Sequence, residues 1–158
     1  MQYSEVLKIP GVSIKNGQRV NDSRGWLMEC FRTDEIKREL TPEMAYISVT
    51  MPRIARGPHE HIYQTDYFCF LGTSTFMIYL WDNRKSSVAY KEKVAIQANE
   101  NEQLVIIIPP GIVHAYKNIG NKEGLVLNFP NKLYAGVGKK EKVDEIRHEN
   151  DSNSFFKL

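Results

Sequence analysis

Three of the four histidines in this chain lie in two short motifs that could carry chemistry. His59 and His61 are two residues apart in the stretch GPHEH, and His114 follows the turn PPG. Because residues two apart in a strand point to the same face, His59 and His61 are predicted to share one interior surface. The double proline cannot continue a β-ladder, and Gly111 permits a positive φ. A tight turn is therefore predicted, which changes the direction of the chain just before His114. The sequence therefore predicts imidazoles from two separated segments facing one cavity.

Histidines in a cavity can do either of two things. Neutral imidazoles, together with a carboxylate such as Asp66, can hold Zn, Fe, Mn or Ni, and this donor set does not select among these metals. Without a metal, a histidine can move protons, because its ordinary pKa of about 6.5 leaves it mostly unprotonated at neutral pH. Asp66 stands out in an otherwise apolar run, since a buried carboxylate requires polar partners.

Short strands separated by turns must position these motifs. Strands are predicted over 3–12, 26–31, 44–51, 67–71, 75–81, 88–96, 104–108 and 125–129, and 67–71 is expected to form a hairpin with 75–81. Turns are predicted at 15–18, where Gly17 would supply a positive φ, and at 22–25. One short helix is predicted over 33–40 with Thr33 as its N-cap. This pattern predicts an all-β sandwich or barrel, with the charged stretch 136–158 lying over its surface.

The composition limits the possible partners and locations. The 158 residues fit one domain, 1–158, and the net charge of +2 comes without a long Lys/Arg run, so nucleic acid is not an expected partner. The first ten residues lack the apolar core of a signal peptide, and no apolar run approaches the roughly 20 residues of a membrane span. Cys30 and Cys69 are expected to be free thiols in a reducing compartment. A cytoplasmic protein without a membrane partner is expected.

The motif G-x-H-x-H, followed by P-P-G-x-x-H and an asparagine at 118, resembles the paired motifs of the cupin superfamily. The resemblance implies a cupin jelly roll or small antiparallel β-barrel. It leaves the function open, because cupins include metal enzymes, metal-free enzymes and binding modules. Metal-binding cupins supply three imidazoles and a carboxylate at nearly this spacing. The alternative metal set is therefore His59, His61, Asp66 and His114.

A narrower resemblance spans most of the chain. DSRGWLMECFR at 22–32, ARGPH at 55–59 and EIRHENDSNSFF at 145–156 follow the order of motifs in the dTDP-4-dehydrorhamnose 3,5-epimerase family. This resemblance implies an isomerase that needs no cofactor and acts on a nucleotide-linked 4-keto-6-deoxyhexose. The ketone makes the protons on C3 and C5 acidic, because the carbanion delocalises into an enolate, so either centre or both can be inverted. The resemblance also implies a homodimer that serves polysaccharide biosynthesis.

The resemblance assigns roles to individual residues. His59 matches the catalytic base, and Tyr134 matches the tyrosine that reprotonates the opposite face. The positions implied to line the nucleotide-sugar site are Arg24, Trp26, Arg56, His61, Gln64, Asp66 and His114. Arginine can hold phosphate oxygens bidentately, and an aromatic ring can stack on a nucleobase.

Three features differ from the family pattern. Asp66 stands where the family usually has a lysine that could stabilise the enolate oxygen. His148 replaces the tryptophan of the W-N-D motif. The sequence ends at Leu158, before the tail that carries the carboxylate orienting the base in the family, and Asp66 or Asp151 is the expected substitute.

Other functions stay open on the sequence alone. The 3,4-ketoisomerases are small cupins that act on the same class of substrate and carry a similar RG-x-H-x-H context, although the DSRGW and HEND segments favour the epimerases. A metal-dependent cupin enzyme, such as a dioxygenase or a phosphosugar isomerase, is a second alternative. A non-catalytic cupin that binds a sugar or nucleotide is the third.

Overall fold

The structure is a computed structural model and describes residues 8–158. Within these residues the strands are β1 (Ser13–Asn16), β2 (Arg19–Asp22), β3 (Gly25–Met28), β4 (Tyr46–Thr50), β5 (Ala55–Glu60), β6 (Asp66–Phe70), β7 (Phe76–Asp82), β8 (Lys93–Ala98), β9 (Leu104–Ile108), β10 (Ile112–Asn118), β11 (Gly124–Asn128) and β12 (Ile146–Arg147). Helical structure in the described chain is limited to short 3-10 turns such as Arg38–Leu40. No helix in this part has the length and apolar character that crossing a bilayer requires.

Ten of these strands form two antiparallel sheets. The first sheet has the order β1-β9-β6-β11-β4, and the second has the order β12-β5-β10-β7-β8. Strands β2 and β3 form a separate hairpin. Buried side chains from both sheets form one shared core, so the sheets pack as a sandwich and do not close into a barrel. The prediction of an all-β cupin fold is confirmed.

Aromatic rings fill the centre of this core. Phe70, Phe76 and Tyr116 contact one another edge to face, with ring centroids 5.5–5.7 Å apart. Phe68 continues this cluster and lies 5.6 Å from the ring of His114. Such offset aromatic pairs add stability beyond the burial of their area. The histidine motif of β10 is thus in direct contact with the buried aromatic core.

The predicted hairpin of 67–71 with 75–81 is wrong. Strand β6 lies between β9 and β11 in the first sheet, whereas β7 lies between β10 and β8 in the second. Gly72, at a φ of +72°, begins the connection that crosses from one sheet to the other. Two apolar strands around a glycine turn have the same local pattern in both topologies, because the pairing partners are distant in sequence.

The predicted helix over 33–40 is also wrong, since only Arg38–Leu40 forms a 3-10 turn. Ahead of it, Ile36 packs onto the outer face of the first sheet with Tyr67 and Cys69. An eight-residue helix is marginal by itself. Packing of this segment on an apolar sheet face therefore decides its conformation.

The predicted first strand, 3–12, lies largely outside the described residues, and its described end forms a turn before β1. Gly17 does not adopt a positive φ, contrary to prediction. The turn at 22–25 is confirmed, because Asp22 pairs with Gly25 where β2 turns into β3. The C-terminal stretch lies over the outside of the second sheet, where β12 pairs with β5 and Phe156 packs on Trp81.

Candidate active site

An open cleft of about 1480 Å³ is lined by residues of both sheets and by the segment 132–149. Strand β4 of the first sheet contributes Tyr46 and Ser48, and strand β5 of the second contributes Arg56, His59 and the following His61. The cleft is therefore bounded by two facing sheets that carry different polar groups.

The structure brings the three motif histidines together beside this cleft. His59 and His114 are directly paired in the register of β5 and β10, and their ring centroids lie 4.4 Å apart. The ring of His61 lies 6.0 Å from that of His59 and 5.9 Å from that of His114. Gly57, at a φ of +80°, allows this approach, because a Cβ there would lie 2.6 Å from the carbonyl oxygen of His114.

Asp66 is buried beneath the histidines, with 1% of its surface exposed. Its Oδ1 accepts hydrogen bonds from Gln64 at 2.9 Å and from Asn128 at 2.8 Å. Its Oδ2 lies 3.1 Å from Nε2 of His61 and 3.2 Å from Nε2 of His114. Burial alone would raise the pKa of Asp66, but these histidine contacts outweigh it and hold the pKa well below its usual range. The carboxylate is thus ionised and has the partners that a buried charge requires.

His61 has an acceptor at each ring nitrogen. Its Nδ1 donates to the carbonyl oxygen of Asp144, and its Nε2 faces the carboxylate of Asp66. Burial lowers the pKa of His61, but the contact with Asp66 and the Asp144 carbonyl outweigh burial and raise the pKa to about 9. His61 is therefore an imidazolium at neutral pH.

His59 lies in a different environment. Within residues 8–158 no group hydrogen-bonds to its ring nitrogens, and its contacts are ring contacts with His61 and His114. Burial, followed by the neighbouring His114 ring, lowers the pKa of His59 to about 2. The imidazole is thus neutral in the physiological range and keeps a lone pair.

The three histidines are also close enough together for the alternative metal set. Ligand atoms of His59, His61 and His114 lie within 4.8 Å of one another, which is close enough to surround an ion. Metal binding requires a deprotonated nitrogen, so an ion here would replace the proton through which His61 contacts Asp66. The same side chains can therefore serve proton transfer or, after loss of that proton, coordination.

The structure also places the remaining predicted residues. Tyr134, Arg56 and Gln64 line the cleft. The guanidinium of Arg56 donates to the Thr50 hydroxyl at 3.1 Å and to a backbone carbonyl, without a carboxylate partner in the described chain. Tyr134 is 53% exposed on the loop after β11.

Arg24 and Trp26 do not reach the cleft of their own chain. Both lie on the β2–β3 hairpin, where Arg24 pairs with Asp22 at 2.5 Å and Trp26 stacks under Arg19 at 4.1 Å. Asp151 also fails as the substitute for orienting His59, because its carboxylate accepts a local backbone N–H. Asp66 contacts His61 and His114 rather than hydrogen-bonding to His59.

Three polar residues of the site were missed in the sequence. Tyr46 and Asn128 join Asp66 in one hydrogen-bonded chain, and Asp144 holds the loop that follows β5. The alternation of MAYISVT places Tyr46 on the inner face with Ser48, so its position could have been inferred. An amide in the apolar run LVLNF is a similar sign for Asn128, whereas nothing local marks Asp144.

Comparison with known proteins identifies the family to which this chain belongs. The model of the dTDP-4-dehydrorhamnose 3,5-epimerase family matches residues 6–142. The chain belongs to this family. Epimerases are isomerases, so the predicted enzyme class is confirmed at the level of the family.

Individual proteins also match most of the chain. The probable low-salt glycan biosynthesis epimerase Agl13 of Haloferax volcanii is 38% identical over 80% of this chain and 81% of its own. The spore coat polysaccharide biosynthesis protein SpsL of Bacillus subtilis is 27% identical over 80% and 82%. The fold is similar to that of a dTDP sugar isomerase from Desulfovibrio desulfuricans, with a TM-score of 0.78, 18% identity, and coverage of 92% of this chain and 88% of that one.

Proposed function

We propose that this protein is a sugar-nucleotide epimerase that inverts C3, C5 or both in a nucleotide-linked 4-keto-6-deoxyhexose, with His59 as the base. The observation that carries the proposal is the position of His59, which lines the cleft of an epimerase-family chain and has no hydrogen-bond partner on its ring among the described residues. A base must hold a free lone pair before it meets its substrate.

The proposed reaction needs only the transfer of protons. His59 removes the proton from C3 or C5, the electrons of that C–H bond form a C=C bond, and the carbonyl electrons move to the C4 oxygen. Tyr134, which lines the same cleft, then donates a proton to the opposite face of the same carbon while the ketone reforms. Exchange of both groups with water restores neutral His59 and the phenol. No external reactant is required.

Cationic side chains of the cleft support a nucleotide diphosphate as the carrier. Carboxylates also line the cleft, but Arg56, Lys132, Lys139 and Lys142 have no carboxylate partner within residues 8–158. Free cations of this kind bind phosphate oxygens. The substrates named for the family are nucleotide sugars, which fits this arrangement.

The names of the relatives suggest the pathway in which this enzyme acts. The curated relatives are named for glycan and spore coat polysaccharide biosynthesis, so we place this enzyme in the synthesis of a surface polysaccharide. Cys30 and Cys69 are free thiols, which suits the reducing cytoplasm. We also propose that the protein is a homodimer.

Deuterium exchange tests the proposal directly. The enzyme is incubated in D₂O with a panel of nucleotide-linked 4-keto-6-deoxysugars, and deuterium at C3 and C5 is measured by NMR. We expect incorporation at one or both centres, with inversion, and loss of this incorporation in His59→Ala. Tyr134→Phe should retain exchange while forming less inverted product, because it lacks only the acid.

A matched control and the opposing outcomes complete the test. His148→Gln changes a histidine outside the cleft and should keep the wild-type rate, because glutamine can still donate to Glu60. Wild-type exchange in His59→Ala would rule out the base role. Exchange at C3 alone, with movement of the keto group, would indicate a 3,4-ketoisomerase. Stoichiometric metal whose removal abolishes activity would overturn the metal-free mechanism.

A further inference from the structure

Tyr46 and His59 line the same cleft from different sheets. Tyr46 lies on β4 at the edge of the first sheet, and His59 lies on β5 in the second sheet. Both side chains line the cleft, so a substrate held between the sheets can contact both. The phenol of Tyr46 is thus available to a substrate that His59 deprotonates.

In its hydrogen bond with Asn128, the hydroxyl group of Tyr46 acts as the acceptor and does not donate its own proton. Its Oη accepts a hydrogen bond from Nδ2 of Asn128 at 2.8 Å. The orientation of the Asn128 amide is fixed, because its Oδ1 accepts from the backbone N–H of Tyr67 at 3.0 Å and its Nδ2 also donates to Asp66. An amide nitrogen can only donate, so the phenol is the acceptor of this bond. In the described residues no acceptor takes the phenol's own O–H.

The environment also keeps this phenol protonated. Burial, and then the negative charge of Asp66, raise the pKa of Tyr46 well above its usual value. A neutral phenol that cannot lose its proton to water is a donor over the whole physiological range.

The cleft requires a donor for the carbonyl oxygen. Removal of a proton beside a ketone develops negative charge on that oxygen, and donors fixed in advance stabilise this charge most effectively. Asp66 contributes a negative charge close by, and the imidazolium of His61 is committed to Asp66 and to the carbonyl of Asp144. The phenol of Tyr46, on the first sheet's side of the cleft, has a proton that no acceptor takes among the described residues.

We propose that Tyr46 is a catalytic residue, whose phenol donates a hydrogen bond to the C4 ketone oxygen and stabilises the enolate. This inference rests on the proposed epimerase function and adds a residue to it. In the step concerned, the proton of C3 or C5 passes to His59, the C–H electron pair forms a C=C bond, and the carbonyl electrons move onto the oxygen that Tyr46 holds. The phenol keeps its proton, so this role differs from that of Tyr134, which transfers one.

The two tyrosines are separated by their effect on exchange. Tyr46→Phe should slow deuterium incorporation into dTDP-4-keto-6-deoxyglucose, because the enolate itself is less stable. Loss of one such donor costs about 10²- to 10³-fold in kcat. KM should change little, since the diphosphate contacts remain. Tyr134→Phe should instead keep incorporation and lose product.

The control removes a phenol from the same sheet without touching the cleft. Tyr67 is buried on the outer face of the first sheet, and Tyr67→Phe should keep the wild-type exchange rate. Thermal melting of both variants reports any general loss of structure. Binding of dTDP to Tyr46→Phe, measured by calorimetry, should match the wild type if the fold is intact.

The possible failures point to different conclusions. Wild-type enzyme without exchange on any substrate would overturn the proposed function. Wild-type exchange that persists at the same rate in Tyr46→Phe would overturn only the role of Tyr46. If the Tyr46→Phe variant loses exchange, dTDP binding and thermal stability together, Tyr46 serves to stabilise the fold. That result would also overturn the inference.

Discussion

His59 is neutral and His61 is positively charged at neutral pH, although a single residue separates them. His61 has a carboxylate on one nitrogen and a carbonyl oxygen on the other, whereas His59 has ring contacts with His61 and His114 and no hydrogen-bond partner in the described chain. Acceptors favour the imidazolium, and desolvation favours the neutral ring. The result is a neutral imidazole with a free lone pair beside a fixed ion pair, as the proposed role of His59 requires.

This difference predicts how stability depends on pH. The pKa of His61 is raised to about 9, so its contribution is complete below the unfolded value of about 6.5 and is lost as pH rises through about 9. The pKa of His59 is lowered to about 2 in the folded protein. Below about pH 6.5, therefore, His59 is protonated in the unfolded chain but not in the folded one, and this difference favours unfolding. The free energy of unfolding should therefore be greatest near pH 6.5 and fall on both sides.

Urea denaturation across the pH range checks this expectation. His61→Gln should remove part of the decline above about pH 6.5, and His59→Gln should remove part of the decline below it. Identical pH profiles for the wild type and both variants would show that neither histidine has the charge state described. Comparison with each variant is necessary because other groups titrate in the same range.

The sequence indicated the residues of this site better than their partners. The spacing of His59 and His61 determined their common face, and the carboxylate of Asp66 in an apolar run indicated buried polar contacts. The position of Asp66 in the sequence, after β5, could not show which histidines its carboxylate would contact. That depends on pairing of β10 with β5 and of β6 with β9, which are contacts between distant segments.

At the scale of elements, the loop after β5 is held by one side chain of the C-terminal segment. The carboxylate of Asp144 accepts backbone hydrogen bonds from Ile62, Tyr63 and Gln64 at 2.8–2.9 Å, while its carbonyl oxygen accepts from His61. Four consecutive residues of the cleft wall thus depend on a residue about 80 positions away.

We expect Asp144→Ala to loosen this loop. Hydrogen bonds to a charged group contribute about 1.5–3 kcal/mol each, so the free energy of unfolding should fall by roughly 2–4 kcal/mol after partial compensation by water. The exchange rate should also fall, because Gln64 and His61 lose their positions against Asp66. Asp151→Ala is the matched control, since that carboxylate accepts one local N–H in the same segment. Equal effects of the two substitutions on exchange would contradict the positioning role.

The strands were predictable where side chains alternate, and their arrangement was not. Leu104–Ile108 was predicted with its observed bounds, and most other strands differ at their ends. The error at Gly72 concerned sheet membership, because β6 and β7 follow one another in the chain and belong to different sheets. The error at 33–40 arose because Ile36 packs on a sheet face, which no local pattern encodes.

At the scale of the whole molecule, the outer face of the first sheet is apolar and exposed at its edge strand β4. Strand β4 is the edge of the first sheet, and its inward side chains include Tyr46 and Ser48. Ile47 and Val49 therefore point outward, and they are 63% and 44% exposed. An exposed apolar face beside an unpaired strand edge is typical of a protein interface.

The β2–β3 hairpin supports the same interpretation. Arg24 and Trp26, which the family resemblance implies for substrate binding, lie on this hairpin outside the cleft of their own chain. Val20 and Leu27 expose further apolar surface on it. If Arg24 and Trp26 contact substrate, the hairpin of one chain must reach the cleft of another. The proposed homodimer would satisfy this requirement.

We expect Ile47→Lys combined with Val49→Lys to convert the dimer into a monomer, because burying two added charges at an interface costs several kcal/mol without partners. Analytical ultracentrifugation measures the change, and the exchange rate should fall with dissociation if Arg24 and Trp26 act on the partner chain's substrate. Val88→Lys is the control, since Val88 is 96% exposed on a turn of the second sheet. A monomeric wild type, or a double variant that sediments as a dimer, would contradict an interface on β4. Full exchange in a monomeric variant would instead assign Arg24 and Trp26 no role in substrate binding.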